Sequence, residues 1–496
     1  MMPSSAERAS HGMDLASRAG CAWLRAMIPR FLLLSTLATL PLHAAGEYPP
    51  FKSPGDAGTR GAAIQRTMGL LDATAIEKRT AVRVLFYGQS ITEQVWWQGV
   101  KEDLAKRFPF ARLEVENRAI GGHSSQLLVK TAEADLYPFQ PDLVIFHVYG
   151  AHDKYEDIIR RIRERTTAEV LMATDHVGAK DPLDEPTDAA QLKPDQWNPW
   201  MNYSFLPATA KKYGCELLPV RDLWKSYLRE NKLEPRALLK DDVHLNDHGN
   251  FLMTEIVKSV LLPLPVGPDE RAKGMVREHA LTAASWQEGR LAFEFEGNRV
   301  DAVFGGAVEG DAAGETGLTI DGKAPAEIRQ LFTFTRTAGY SGTNWPCLLR
   351  VQRGPAQLQD EEWTVTLANA SDDYKSFLFS LTGSKTGPDG VGSAGKKFVS
   401  KSGRIVIEPD DWNLQFCRKT FGRKLEEGFR ITWRSIPQWN PKLAATGTLV
   451  QGLANGKHTL VLTGAAMQKA GLTALRVHRP PFPQTEDPAA DASASR

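Results

Sequence analysis

A chain of 496 residues, 42% of them hydrophobic, is long enough to fill the cores of roughly two to four domains, which excludes general disorder. Sixty lysines and arginines against 59 aspartates and glutamates leave a formal charge of +1, so bulk electrostatics draw in neither nucleic acid nor an anionic membrane surface. Four cysteines, Cys21, Cys215, Cys347 and Cys417, contain no CxxC pair and make neither a disulfide scaffold nor a zinc knuckle; one Cys347–Cys417 bridge is the most they allow.

At the start of the chain, Arg25 and Arg30 precede an apolar run over residues 31–42, and small residues follow around Ala44 and Ala45. That is the order of a secretory signal, so residues 1–45 are read as a signal peptide and the protein as secreted or periplasmic. An N-terminal structural helix is the alternative. The run is too short to span a bilayer, and no later segment reaches the ~20 apolar residues that a membrane span needs. The long stretch before it points to translation from Met13 or Met27, and Cys21 falls within the removed part.

Residues 46–80 form a lead-in. From 81 to 264, apolar runs at 82–86, 113–116, 143–148, 170–173 and 216–220 alternate with amphipathic stretches such as 91–108, where Trp96, Trp97, Val100 and Leu104 share one face. Alternating strand and helix predicts a doubly wound, flavodoxin-like parallel sheet. From 265 to 480 the pattern changes to short strands of period two, at 291–296, 319–322, 377–379 and 458–462, which predicts an antiparallel β-sandwich. Pro263, Pro265 and Pro268 make the connection stiff. Residues 383–396, rich in Gly, Ser and Lys, read as a mobile loop, and 481–496 as a disordered tail. Gln-Trp-Asn-Pro occurs at 196–199 and 438–441, in unlike contexts, and is taken as coincidence.

The first strand runs through Gly88 and Gln89 into Ser90, where a helix begins. Carboxyl ends of parallel strands face the ligand crevice, so Ser90 is delivered to the mouth of a site; equally, serine is a preferred helix cap. A serine becomes a nucleophile only with a base that a carboxylate orients, and Asp241 and His244, three residues apart before a later helix, offer both. Taken together these segments resemble the blocks of the SGNH (GDSL-type) hydrolases. Gly88-Gln89-Ser90-Ile91-Thr92 resembles the nucleophile block, with Gln89 where Asp is usual. The run 117–125 resembles the second block, which implies that the Gly122 N–H donates to an oxyanion, and 142–153 resembles the third. Asp241 to His244 matches the last. The resemblance covers about 80–262 and implies a triad of Ser90, His244 and Asp241, with an oxyanion hole from the N–H groups of Ser90 and Gly122. His152 stands where the family has an oxyanion asparagine; its ring can donate instead, or it faces the substrate while Asn117 or another group donates.

Six of the eleven histidines fall in this part, yet no HExxH or comparable spacing appears, so no metal and no cofactor are expected, and His147 is read as a hydrogen-bonded core residue. Trp197 and Trp200 lie on a segment whose Pro and Asn break regular structure, which puts two indoles on a loop suited to substrate recognition. No amphipathic lid suggests work at a lipid interface. The expected function is a secreted serine esterase removing small acyl groups, foremost acetyl, from a plant-type polysaccharide of the xyloglucan kind, the layout being similar to two-domain acetylesterases. A lysophospholipase or general carboxylesterase is the alternative within enzymes. A non-catalytic glycan-binding protein on a degenerate hydrolase fold is the alternative outside them.

Overall fold

A computed structural model describes residues 48–54, 60–76, 79–268, 270–305, 317–440, 447–464 and 471–485. The expected signal peptide lies outside these residues. Five parallel strands, β1 (Ala81–Gly88), β2 (Arg112–Asn117), β3 (Leu143–His147), β4 (Glu169–Ala173) and β5 (Glu216–Leu218), stand in the order β2-β1-β3-β4-β5. This is the flavodoxin-like order expected from the alternating pattern. Every residue of β3 and β4 is buried, as uninterrupted apolar runs require when helices cover both faces. The winding reverses between β1 and β3, so the crevice opens at their carboxyl ends.

The helices are α1 (Gln65–Asp72), in the lead-in, α2 (Ser90–Glu93), α3 (Trp96–Arg107), α4 (Ser125–Asp135), α5 (His152–Arg165), α6 (Trp197–Trp200), α7 (Leu206–Tyr213), α8 (Val220–Glu230) and α9 (Asp247–Lys258). The single helix expected over 91–108 is broken in two. Gln94 is extended, at ψ 161°, because its amide makes both hydrogen bonds of a strand partner to the Leu245 backbone, donating to the carbonyl at 2.8 Å and accepting from the N–H at 3.0 Å. The stretch expected as an aromatic loop is helical: α6 passes through one π-turn (Met201–Phe205) into α7, and Pro199 is tolerated in its first turn, where no N–H is needed.

After α10 (Glu270–Met275) the chain is mainly antiparallel. One sheet has the order β6-β18-β7-β17-β8, from β6 (Val276–Ala280), β7 (Arg290–Phe304), β8 (Gly317–Ile320), β17 (Thr448–Thr463) and β18 (Leu472–His478). A second has the order β13-β12-β11-β16-β9, from β9 (Phe332–Phe334), β11 (Glu361–Ala368), β12 (Leu378–Gly383), β13 (Gly387–Ser393) and β16 (Arg430–Pro437). A small third sheet pairs β10 (Gln352–Arg353), β15 (Ile405–Ile407) and β14 (Phe398–Val399), and α11 (Leu414–Phe421) follows it. Residues 383–396 are thus a hairpin and not a mobile loop: the Glu361 carboxylate accepts from the N–H groups of Lys385 at 3.0 Å and Thr386 at 2.9 Å and holds the turn down. Of the expected tail, residues 481–485 pack onto the fold, with Asn455 donating to the Phe482 carbonyl at 2.9 Å, and residues 486–496 lie outside the described residues.

The architectural boundary near 264 is not a boundary of the core. Pro49–Arg496 is one compact unit, and one apolar cluster runs from Tyr87, Leu128 and Ile158 to Trp345, Trp363 and Phe379. Arg336 grips the Asp135 carboxylate at the end of α4 with two hydrogen bonds of 2.8 Å, and Asn298 and Gln451 donate to the carbonyls of Arg165 and Pro138. Cys347 and Cys417 are buried free thiols, so the bridge allowed by the sequence is not formed; burial pushes the Cys417 thiol up to about 12. Among the described residues no helix is long and apolar enough to cross a membrane.

Candidate active site

Strand β1 ends in Gly88 because nothing larger fits: a Cβ there would lie 2.2 Å from the His147 carbonyl oxygen and 2.4 Å from Thr92 Oγ1. The tight turn makes Ser90 the first residue of α2, with Gln89 in the cap position and no side-chain cap bond. The capping role left open by the sequence is therefore not the one Ser90 fills. Its Oγ lies 2.9 Å from His244 Nε2, and His244 Nδ1 lies 2.9 Å from Asp241 Oδ2. A carboxylate can only accept, so Nδ1 carries the hydrogen and Nε2 is free to accept from the serine hydroxyl. The other Asp241 oxygen accepts the N–H groups of His244 at 2.7 Å and Val243 at 2.8 Å. These backbone donors, with the His244 ring, hold the Asp241 carboxyl well below the usual carboxylate range.

The loop carrying this pair is braced from three sides. Gln94 grips Leu245, His176 Nε2 donates to the Val243 carbonyl at 2.7 Å, and Ala179 N–H donates to the Asp242 carbonyl at 2.9 Å. Buried against Trp224, His176 is kept neutral by desolvation, its pKa lowered to about 4.

Beyond β2, Asn117 donates to the Thr92 carbonyl at 2.7 Å and accepts the Ala119 N–H at 2.9 Å, so its amide is engaged in tying the second block to α2. Gly121 comes up against Ser90, a Cβ on it being 3.6 Å from the serine Cβ. Gly122 has φ +75°, in the left-handed region that favours glycine. Its N–H makes no hydrogen bond among the described residues, and the Ser90 N–H, first in its helix, has no intrahelical acceptor. Glu93 accepts the Gly121 N–H at 3.0 Å, and its other oxygen accepts from Asn344 of the C-terminal half at 2.6 Å. Sequence reasoning missed Glu93, although it directly follows the nucleophile block, and missed Asn344, for which no local signal exists.

His152 begins α5, just after Gly150 at φ +135°. Its ring is packed by Trp197 and Trp200, each at 4.6 Å between centroids, and by Phe205 at 4.7 Å. Its Nε2 is buried with no hydrogen-bond partner among the described residues, and desolvation lowers its pKa, so the ring is neutral. Trp197 remains 37% exposed. His147 is the core residue expected, buried and 2.9 Å from Asp175, whose N–H donates to the Asn202 side chain at 2.7 Å. A cleft of about 710 Å³ does not hold the triad; it lies beside Asn117 and is lined by Arg118, Phe139, Gln438 and Trp439.

No family model matches the chain, and no curated protein matches it. Solved structures do. A two-domain esterase active on acetylated mannans is similar over 84% of this chain and 95% of its own, at 16% identity and a TM-score of 0.33. An acetyl xylan esterase is similar over 36% of this chain and 98% of its own, at 23% identity and a TM-score of 0.29. An acetylxylan esterase from Geobacillus stearothermophilus is similar over 37% of this chain and 96% of its own, at 17% identity and a TM-score of 0.31.

Proposed function

We propose that this protein is a secreted SGNH-type serine esterase that removes acetyl groups from a polysaccharide. The observation that carries the reading is the unbroken relay from Ser90 Oγ through His244 to Asp241, two contacts of 2.9 Å with the ring orientation that catalysis needs. Ser90 Oγ bonds to the ester carbonyl carbon while its proton passes to His244 Nε2. The carbonyl electron pair moves to oxygen, where the Ser90 and Gly122 N–H groups receive it. Collapse expels the sugar oxygen, which takes the proton from His244, and water then repeats the cycle on the acetyl-serine to release acetate. Asp241 stays ionised and steadies the imidazolium.

Ser90→Ala and His244→Ala are expected to lower turnover of an activated acetate ester by several orders of magnitude without unfolding the protein, and Asp241→Asn by about 10⁴-fold. Near-normal rates in the folded variants overturn the triad. Acetate release from acetylated xylan, xyloglucan, pectin and mannan, with long-chain acyl esters alongside, tests the substrate class; preference for the long chains overturns it. Trp197, exposed beside His152, supports contact with a sugar ring. Export rests on the pattern of residues 1–45, and N-terminal sequencing of the protein recovered outside the cytoplasm is expected to begin near residue 46.

His152 we assign as a third oxyanion donor, supported by its unpaired Nε2 and neutral ring. Loss of one such donor costs about 3 kcal/mol in the transition state, so His152→Ala should depress kcat and leave KM nearly unchanged, and His152→Asn should recover part of the loss. A change confined to KM for polymer makes it a wall of the sugar site with Trp197.

A further inference from the structure

We infer that the C-terminal half completes the oxyanion hole: Asn344, Trp345 and Asn413 act as positioning residues that clamp the Gly121–Gly122 turn beside Ser90. The inference rests on the esterase reading and adds to it a contact between the two halves of the one chain.

The Gly121–Gly122 turn is held through two successive peptides, by the N–H that enters it and by the carbonyl within it. Glu93, one turn along the helix that starts at Ser90, accepts the Gly121 N–H, and its second oxygen is fixed at 2.6 Å by the Asn344 amide. On the far side His123 Nδ1 lies 3.4 Å from the Gly121 carbonyl oxygen, and its Nε2 lies 3.4 Å from the Asn413 amide, which also donates to the Pro346 carbonyl at 2.9 Å. In a trans peptide the C=O and the following N–H point in opposite directions. A carbonyl turned toward His123 therefore turns the Gly122 N–H away from it. His123 can hold that orientation at working pH because burial keeps the ring neutral, its pKa lowered to about 4.

Above the turn lies Trp345. A Cβ on Gly122 would be 2.5 Å from its Cζ2, so the indole occupies the face that any larger residue would need. The indole cannot drift, being stacked on Phe416 at 5.1 Å and edged by Phe421 at 4.9 Å and His123 at 4.7 Å. None of these partners except His123 belongs to the α/β part.

The test uses the full chain, an activated acetate ester and a fluorophosphonate that labels activated serines. Asn344 is exposed, so Asn344→Ala should keep its melting temperature. A misplaced donor costs roughly 10- to 100-fold in rate. We expect Asn344→Ala and Glu93→Ala to slow both kcat and labelling of Ser90 by at least tenfold with KM unchanged. Glu93→Gln, which keeps an acceptor for Gly121, should restore most of the rate. The double variant should be no slower than Glu93→Ala, because Asn344 acts through Glu93. Wild-type labelling rates in both single variants, or additive losses in the double, overturn the inference while leaving the esterase reading intact. A wild-type protein that the probe does not label at Ser90 overturns that reading, and the inference with it.

Discussion

The hydrogen that serves as the side chain of Gly88 sets the place of Ser90, since β1 passes under the His147 carbonyl with no room for a methyl group. Gly88→Ala must push this strand end away from β3, at a cost of about 3 kcal/mol, and carry Ser90 from His244. Chemical denaturation and turnover of an activated ester should fall together. His123 and His176 make a prediction of a different kind. Each is buried with its pKa lowered to about 4, whereas in the unfolded chain it titrates near 6.5. Above the higher value neither state is protonated and stability is full. Between the two values only the unfolded chain binds the proton, so stability is lost as pH falls, by about 3 kcal/mol per histidine at pH 4. Urea unfolding followed from pH 7 to pH 4 should show the loss, and His176→Gln should remove its own share of the slope. At this scale the contact of Ser90 with His244 and Asp241 was legible because Ser90 and the Asp241–His244 turn sit in short local patterns. Glu93 was not, since its partner Asn344 lies 251 residues away.

Elements are held by polar anchors as much as by apolar faces. The segment from His176 to Trp200 has little regular structure, yet it backs the Val243 carbonyl and carries the exposed indole. Glu185 pins it: its carboxylate, 2% exposed, takes Arg221 and Lys225 at 2.5 Å, and Arg221 reaches on to the His176 carbonyl at 2.9 Å. Glu185→Ala leaves two buried cations without that carboxylate, which should cost about 3–5 kcal/mol and open the segment to limited proteolysis. Asp184, 97% exposed beside Arg229, is the control, and Asp184→Ala should change stability by less than about 1 kcal/mol. The same logic explains where composition misled. Residues 383–396 look mobile until Glu361 is seen to satisfy the turn, and 91–108 look like one helix until Gln94 is drawn out to pair with Leu245. The parallel strands were legible because an apolar run buried on both faces needs no partner to be recognised. Long-range side-chain anchors leave no such trace.

Across the whole molecule the two architectures share one core, and the change in strand pattern after residue 264 marked a change of architecture without showing that fact. A fragment of residues 46–270 would lose the C-terminal members of this cluster, Trp345, Trp363 and Phe379 among them, and so expose apolar side chains of the α/β part, each worth about 1.5–3 kcal/mol when buried. It should be poorly soluble, or folded but weak on polymer; a stable monomer with full activity would contradict the shared core. Arg336→Ala should leave Asp135 buried and unpaired and lower the melting temperature of the intact chain in a single transition. The reach from Glu93 to Asn344 also gives the molecule a clock. At roughly 5–20 residues per second a ribosome needs about 13–50 s to travel the 251 residues between them. Throughout that interval the nascent chain carries Ser90 with no tryptophan over Gly122 and no amide on Glu93, so, if these contacts position the oxyanion hole as proposed, the growing polypeptide is made before it is armed.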